Sequence, residues 1–477
     1  MERIYYSNSN QSYSNPSNLI YVTDSNKVDD IDETPLKTRD SKVFNLEKHT
    51  NLSDSFPLFF QNIDTIFIPK KAKRYLERMP SSLLKEIDVD KKIAIEISLL
   101  ILSSLSSTYY SEERYKELSS TIMDTQTKKG NDNTRLYPKV IKVLKYRTNA
   151  TEGIIKVKKN TEGKETYQEG VACKSYSLTD TYYEAGLVKY VIKDAGILKK
   201  RNELFFNQLK LAQENVICRN LIGLYSKIEL PTDEEVIAEA KRLVKVKHAN
   251  KKGKILTFLH KHSKSKFNDA NSRSFVEDNI ELFKYLTSIG YRIPIIGVEK
   301  SGGRVVDSLV LMPSWIRKLI KIDGESIVEV DFKALHPNIA MSVYGGSKKF
   351  LTHQQVAEES VIDLKDVKIQ HLSFFNKTVW AMKESALYSY YYKSDSTMII
   401  KIEQEKLNSE FKHRITSMKM FAKEVEIMTE CIRRLNVIGI YVGYVYDALF
   451  CKESEKEAVK KIMNEVVVEL GVYTIAD

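Results

Sequence analysis

KIDGESIVEVDFKALHPNIAMSVYGG, from Lys321 to Gly346, is the stretch that decides the fold. Asp323–Gly324 is a two-residue turn signal, since both residue types tolerate the left-handed backbone that tight hairpins require. The run from Ser326 to Phe332 is rich in β-branched and apolar residues and reads as a strand. Pro337 sits where a helix begins, because a first turn tolerates proline. Asp331 therefore falls at the C-terminal end of a buried strand. A second stretch, VIGIYVGYVYDALFCKESEKEAVKKIMNEVVVEL from Val437 to Leu470, has a related order. Gly439 closes a long helical segment, IYVGYVY is a strand, and the chain turns at Asp447 into the short strand ALFCK. Ser454 and Glu457 predict a capping box for the amphipathic helix that follows.

Two carboxylates at adjacent strand ends make an oxygen donor set suited to two hard cations, magnesium or alternatively manganese, and to an incoming triphosphate. Aspartates after strands are also frequent as caps and turn residues, so the spacing by itself leaves both readings standing.

The residues DFKALHPNIAMSVYGG resemble the first palm motif of the family A DNA polymerases, Asp-Tyr-Ser-Gln-Ile-Glu-Leu-Arg ending near a glycine. YVYDALF resembles their last motif, a hydrophobic strand and then His-Asp-Glu, and also the His-Asp-Ser-Phe of phage-type single-subunit RNA polymerases. The resemblance spans about residues 300 to 470. It implies a right-hand palm and fingers, with Asp331 and Asp447 holding two magnesium ions and the backbone carbonyl of Phe332 as a further ligand. Upstream, GGRVVDSLVLMPSWIRKLIKIDGE is similar to the Gly-Arg, Pro and Arg order that precedes the first motif. That similarity makes Arg304 the candidate contact to the primer-template duplex and Arg317 a candidate for a nearby phosphate; both also read as surface charges.

In the same family a fingers helix presents a lysine to the triphosphate, with an aromatic residue eight positions later. Two registers fit. Lys368 precedes Asn376 by eight, with Lys365 on the preceding turn, and Lys383 precedes Tyr391 by eight. The first is preferred because LKDVKIQHLSFF is long enough for an amphipathic helix. His336 stands where family A and family B polymerases place a bulky residue that screens the ribose 2′-position. It reads as a steric block, as a hydrogen-bonding partner of a 2′-hydroxyl, or as a residue that packs or caps the helix at Pro337.

The chain also departs from the family. Tyr446 replaces the histidine of the last motif, Ala448 replaces its second acidic residue, and the arginine four residues before the fingers lysine is absent in both registers. No N-terminal exonuclease carboxylate set is visible, so proofreading is not expected. Family B offers a rival alignment of the first motif, but its last motif carries two aspartates where YVYDALF has one.

The formal charge of +11 favours polyanionic partners. From Lys241 to Lys266 there are ten Lys or Arg and no Asp or Glu. This run reads as a solvated linker or as a phosphate track, with Lys251, Lys252 and Lys254 at its centre. Four separated cysteines, with no C-x-x-C pair, argue against structural zinc and a disulfide scaffold. No run of eighteen apolar residues occurs, and the N-terminus lacks the charged-then-apolar order of a signal peptide. A cytoplasmic protein of a bacterial or phage-infected cell, with no membrane partner, is expected.

Residues 1–55, rich in Ser, Asn and Asp, read as a tail. Residues 56–180 read as helices followed by a hairpin, with strands Gly153 to Lys158 and Thr166 to Leu178 joined by the turn-rich NTEG. This outlines a winged-helix shape, in which the helix around Lys139 to Tyr146 would meet nucleic acid, or an ordinary α+β packing unit. Residues 181–270 read as a helical thumb-like or linker region with Thr232 as an N-cap and Glu235 completing its box, and 271–477 as the catalytic domain.

The expected class is α+β, mostly helical. The expected activity is template-directed nucleotidyl transfer to a 3′-hydroxyl, using template, primer and nucleoside triphosphates, with DNA synthesis favoured over RNA synthesis. The alternative is a replication-initiation protein of a phage or plasmid, which binds nucleic acid through an inactive palm-like domain. Replication and anti-phage defence, and the oligomeric state, stay open at this point.

Overall fold

The computed structural model describes residues 64–110, 114–127, 135–148, 152–160, 162–165, 173–250, 253–259, 272–288 and 290–477. The expected tail over residues 1–55, the first part of the Thr166–Leu178 strand, Lys251, Lys252 and residues 260–266 of the basic run lie outside the described residues. The class is α+β and mostly helical, with small sheets. Two units are distinguished. Among the described residues, one is formed by residues 64–210 together with Thr287–Arg292, and the other by Leu211–Leu286 and Ile293–Asp477.

In the first unit, β1 (Thr65–Pro69) pairs antiparallel with β5 (Leu187–Val191). The core helix α1 (Lys91–Ser103) starts at Asp90, whose carboxylate accepts from Lys92 N at 2.7 Å. Its run from Ala94 to Leu102 is buried throughout. The segment Lys91–Tyr110 is long and apolar enough by composition to cross a bilayer, and most of it is buried inside this unit.

Next come β2 (Lys116–Glu117), α2 (Ser120–Thr127), α3 (Tyr137–Lys145), β3 (Ile155–Val157) and β4 (Ser175–Leu178). The three strands form an antiparallel sheet in the order β2-β4-β3. Pro138 lies in the first turn of α3, where its missing N–H has no consequence. Within the expected NTEG turn, of which Thr161 lies outside the described residues, Gly163 N is bonded to Asn160 O. Strand β3 is shorter than the sequence suggests, and a bridge between Lys159 and Glu165 joins the two arms beside the turn.

The second unit is organised around a five-stranded antiparallel sheet. In chain order its elements include α4 (Val216–Tyr225), β6 (Ile228–Glu229), α5 (Asp233–Lys245), β7 (Lys321–Ile322) and β8 (Glu325–Asp331). Helices α6 (Leu335–Tyr344), α7 (His353–Ser360), α8 (Leu364–Phe374), α9 (Val379–Lys383), α10 (Ala386–Ser394), α11 (Ser396–Asn408) and α12 (Ile415–Val437) follow. The chain returns through β9 (Gly443–Val445) and β10 (Ala448–Lys452) to α13 (Lys456–Glu469). The sheet order is β9-β10-β8-β7-β6. Helix α13 packs on β8 and β10, while α12 packs against α4, α6 and α13.

Asp323 and Gly324 have φ of 49° and 80°, so the β7–β8 hairpin uses the left-handed turn predicted for Asp-Gly. Thr232 and Glu235 form the expected capping box of α5. Ser454 and Glu457 do not form one. Ser454 N and Oγ instead donate to the Glu325 carboxylate at 2.6 and 2.9 Å, and α13 starts at Lys456 without a side-chain cap.

Candidate active site

Strand register brings the two aspartates together. Ile327 to Asp331 of β8 pair with Lys452 to Ala448 of β10, so Asp331 lies opposite Ala448, the residue after Asp447. Tyr446 and Asp447 form the turn between β9 and β10, since Val445 pairs with Ala448. Tyr446 holds φ at 60°, a left-handed conformation that costs a side-chain-bearing residue about 1 to 2 kcal/mol. The entry to this hairpin is fixed by the buried Asn220. Its Nδ2 donates to Val442 O at 2.6 Å, and its Oδ1 accepts from Val442 N at 3.1 Å and from Asn436 Nδ2 at 2.9 Å.

On the other edge of the β8 end, Lys333 N donates to Ile475 O and Asp477 N donates to Asp331 O. Phe332 forms a bridge with Ala476 in this segment. Antiparallel pairing then turns the backbone N–H and C=O of Phe332 toward the opposite edge, the side of the Asp447 turn.

Beside the hairpin lies a charged group that the sequence pattern reveals only in part. Glu424 of α12 is fully buried and receives two hydrogen bonds from Arg304, Nε to Oε1 at 2.7 Å and Nη2 to Oε2 at 2.6 Å. His336, in the first turn of α6, places Nε2 2.7 Å from Glu424 Oε2. An ionised carboxylate only accepts, so Nε2 carries the hydrogen, and Arg304 Nη2 at 3.1 Å from it is a neighbour rather than a donor. The Arg304 guanidinium lies 3.7 Å from the centre of the Phe421 ring and 4.7 Å from that of Tyr446. Gly302 makes this approach to α12 possible: a Cβ there would meet Ala422 N at 2.4 Å, and its φ is 64°.

Burial alone would raise the Glu424 carboxyl, but Arg304 and His336 outweigh it and hold the group at about 2. Asp447 is shifted the other way. Burial, and then the charge of Glu424, raise it above the usual carboxylate range, opposed by His336 and Arg304. Asp447 is thus a buried carboxylate whose negative charge its surroundings disfavour.

Other candidates are placed differently. Arg317 is a correction: it is buried and donates Nη1 to the carbonyl oxygen of Leu309 at 2.8 Å, with its guanidinium 5.0 Å from the Phe450 ring. It braces the sheet rather than meeting a phosphate. Tyr391 is a second correction. Its ring is fully buried against Phe374 and Phe375, and its hydroxyl lies 2.7 Å from His371 Nε2, which leaves no face for a nucleotide. Lys383 ends α9 and pairs with Glu403 at 3.3 Å, so the helix break at Glu384–Ser385 separates it from Tyr391. Lys365 and Lys368 are exposed on α8, and Lys254 is half-buried.

Glu424 also has a signal in the sequence, outside the two strand-end motifs. Phe421, Glu424, Met428 and Cys431 recur at the spacing of one buried helical face, on which a lone acid needs a partner. Among the described residues no group of three or more His, Cys, Asp or Glu converges as a metal site.

No protein-family model matches the chain. No curated protein matches it either. Among solved structures, the polymerase domain of Pol1 from M. smegmatis, in complex with DNA primer-template and dNTP, is similar with a TM-score of 0.37 and 10% identity, over 59% of this chain and 72% of that one.

Proposed function

We propose that this chain is a metal-dependent, template-directed nucleic acid polymerase whose second unit is a palm with helical fingers. The observation that carries the proposal is the register of β8 with β10, which sets Asp331 beside the Asp447 turn. Two carboxylates and the Phe332 carbonyl are hard oxygen donors, and magnesium takes few protein ligands, leaving the rest of its shell to water and phosphate. A donor set of two carboxylates therefore suits magnesium better than a crowded cage would. When bound, two magnesium ions would lower the pKa of a 3′-hydroxyl and neutralise the leaving pyrophosphate.

The chain's own residues prepare that site. Glu424 holds Arg304 and His336 in fixed orientations, so a substrate meets a rigid wall at His336. With Nε2 committed to Glu424, the imidazole is oriented to act by its bulk, which favours deoxyribonucleotides. Lys368, exposed on α8 with Lys365 near it, is the preferred cation for the triphosphate, and Lys383 is the alternative. Arg304 is shared between its Glu424 pair and a contact to primer-template.

The test is single-nucleotide addition to a labelled primer-template, with magnesium and each sugar. Asp331→Asn and Asp447→Asn should each lower the rate by about a thousandfold, because each removes a ligand worth several kcal/mol. A folded double variant that extends at near the parental rate would remove the assignment.

A further inference from the structure

The first unit contains a feature that polymerase chemistry does not use. Its elements run α1, β2, α2, α3, β3, β4, and the sheet order β2-β4-β3 places the last strand between the other two. Two helices, α2 and α3, which pack on each other, are followed by the antiparallel strands β3 and β4, which form a wing. The wing is anchored to α3. Ile154 N donates to Leu144 O at 2.9 Å, and a Cβ at Gly153 would lie 2.8 Å from Lys145 O, so only glycine lets the strand pass so close to the helix end. Tyr137, Val140, Ile141, Val143 and Leu144 face the core, leaving the other side of α3 free to meet a partner.

That side is basic. Residues 135–159 contain eight Lys or Arg against the single acid Glu152. Arg135, Lys142 and Arg147 on and beside α3, and Lys158 and Lys159 on the wing, are exposed. The nearby acids are already engaged in surface pairs: Glu86 with Lys142 at 2.7 Å, Glu165 with Lys145 at 2.8 Å and with Lys174 at 2.6 Å, and Asp180 with Lys156 and Arg114. Such exposed pairs contribute about 0 to 1 kcal/mol, so phosphates can displace them. Among the described residues Arg135, Lys139 and Arg147 take part in no ion pair.

We propose that this unit binds duplex DNA as a winged helix, with α3 in the major groove and the β3–β4 wing against the adjoining backbone. The helix decides between duplexes. The major groove of B-form DNA, about 12 Å wide, admits an α-helix, whereas that of A-form RNA is too narrow and deep for side chains to read. Binding of this kind needs neither Asp331 nor Asp447.

The test uses the full chain and a fluorescent DNA duplex of about 24 base pairs with both ends closed by loops, so that no primer terminus is offered, in EDTA and without nucleotide. Anisotropy is read between about 50 and 200 mM salt. The variant Lys139→Ala/Lys142→Ala/Arg147→Ala should flatten the plot of log affinity against log salt by about 2.7, from about 0.9 for each phosphate that is no longer neutralised. Asp331→Asn should leave binding unchanged. Glu165→Gln, which frees Lys145 and Lys174, should tighten binding severalfold, and it still decides the matter if the triple variant does not fold. An unchanged salt slope in a folded triple variant, no tightening by Glu165→Gln, or equal affinity for an RNA duplex of the same length would overturn the proposal.

Discussion

Glu424 is the residue whose loss should be felt most widely. Its carboxylate is fully buried and bonded to both Arg304 and His336. Glu424→Ala leaves the Arg304 guanidinium without its counter-charge and should cost about 3 to 5 kcal/mol in urea unfolding. Replacing both partners, Arg304→Met with Glu424→Met, should recover most of that stability while leaving nucleotide addition impaired. A loss below about 1 kcal/mol in the single variant would mean that the pair does not hold this part of the unit together. His336 is tested separately. With its ring fixed by Glu424, His336→Ala should raise ribonucleotide use relative to deoxyribonucleotide use in matched single-turnover kinetics. A selective loss of ribonucleotide use would mean that the ring binds the 2′-hydroxyl instead, and an unchanged ratio would leave His336 a packing residue.

At the level of elements, the Asp323–Gly324 hairpin sets where β8 begins and, through its register, where Asp331 ends up. Gly324 has φ of 80°, and a Cβ there would make only ordinary van der Waals contact, the nearest atom, Glu229 Oε1, lying 3.8 Å away. Gly324→Ala should therefore cost only the conformational penalty, about 1 to 2 kcal/mol, with the pairing preserved. Thermal unfolding showing no loss would indicate that the turn can adopt another form. The local signals were legible in the sequence for a shared physical reason. Asp323–Gly324, Gly439 at φ 81° and the Thr232–Glu235 box are all settled within a few residues. The Ser454 cap failed because Glu325, far away in sequence, reaches Ser454 first. The eight-residue spacing has meaning only inside one helix, and neither register keeps it: α9 ends before α10 begins, and α8 ends at Phe374, before Asn376. Arg317 looked like a surface charge because nothing local announces that the Leu309 carbonyl and the Phe450 ring will enclose it.

For the whole molecule, a formal charge of +11 is spread over two units, and the β3–β4 wing and the Lys241–Lys266 run make separate demands on salt dependence. Neutralising Lys251, Lys252 and Lys254 should flatten the slope for primer-template binding by about 0.7 to 0.9 for each phosphate left without its cation; an unchanged slope would make the run a linker. The two aspartates were legible because each closes a recognisable strand. Their juxtaposition was not, since it depends on which strands pair, and β8 meets β10 across more than a hundred intervening residues. The most direct measurement is extension of a labelled primer-template by the purified chain with magnesium and the four deoxyribonucleotides. Templated addition by the parental protein is expected, abolished by EDTA, restored by excess magnesium, and lost in folded Asp331→Asn and Asp447→Asn. Absence of any addition by the folded parental protein with either sugar, or addition that survives both substitutions, would contradict the account.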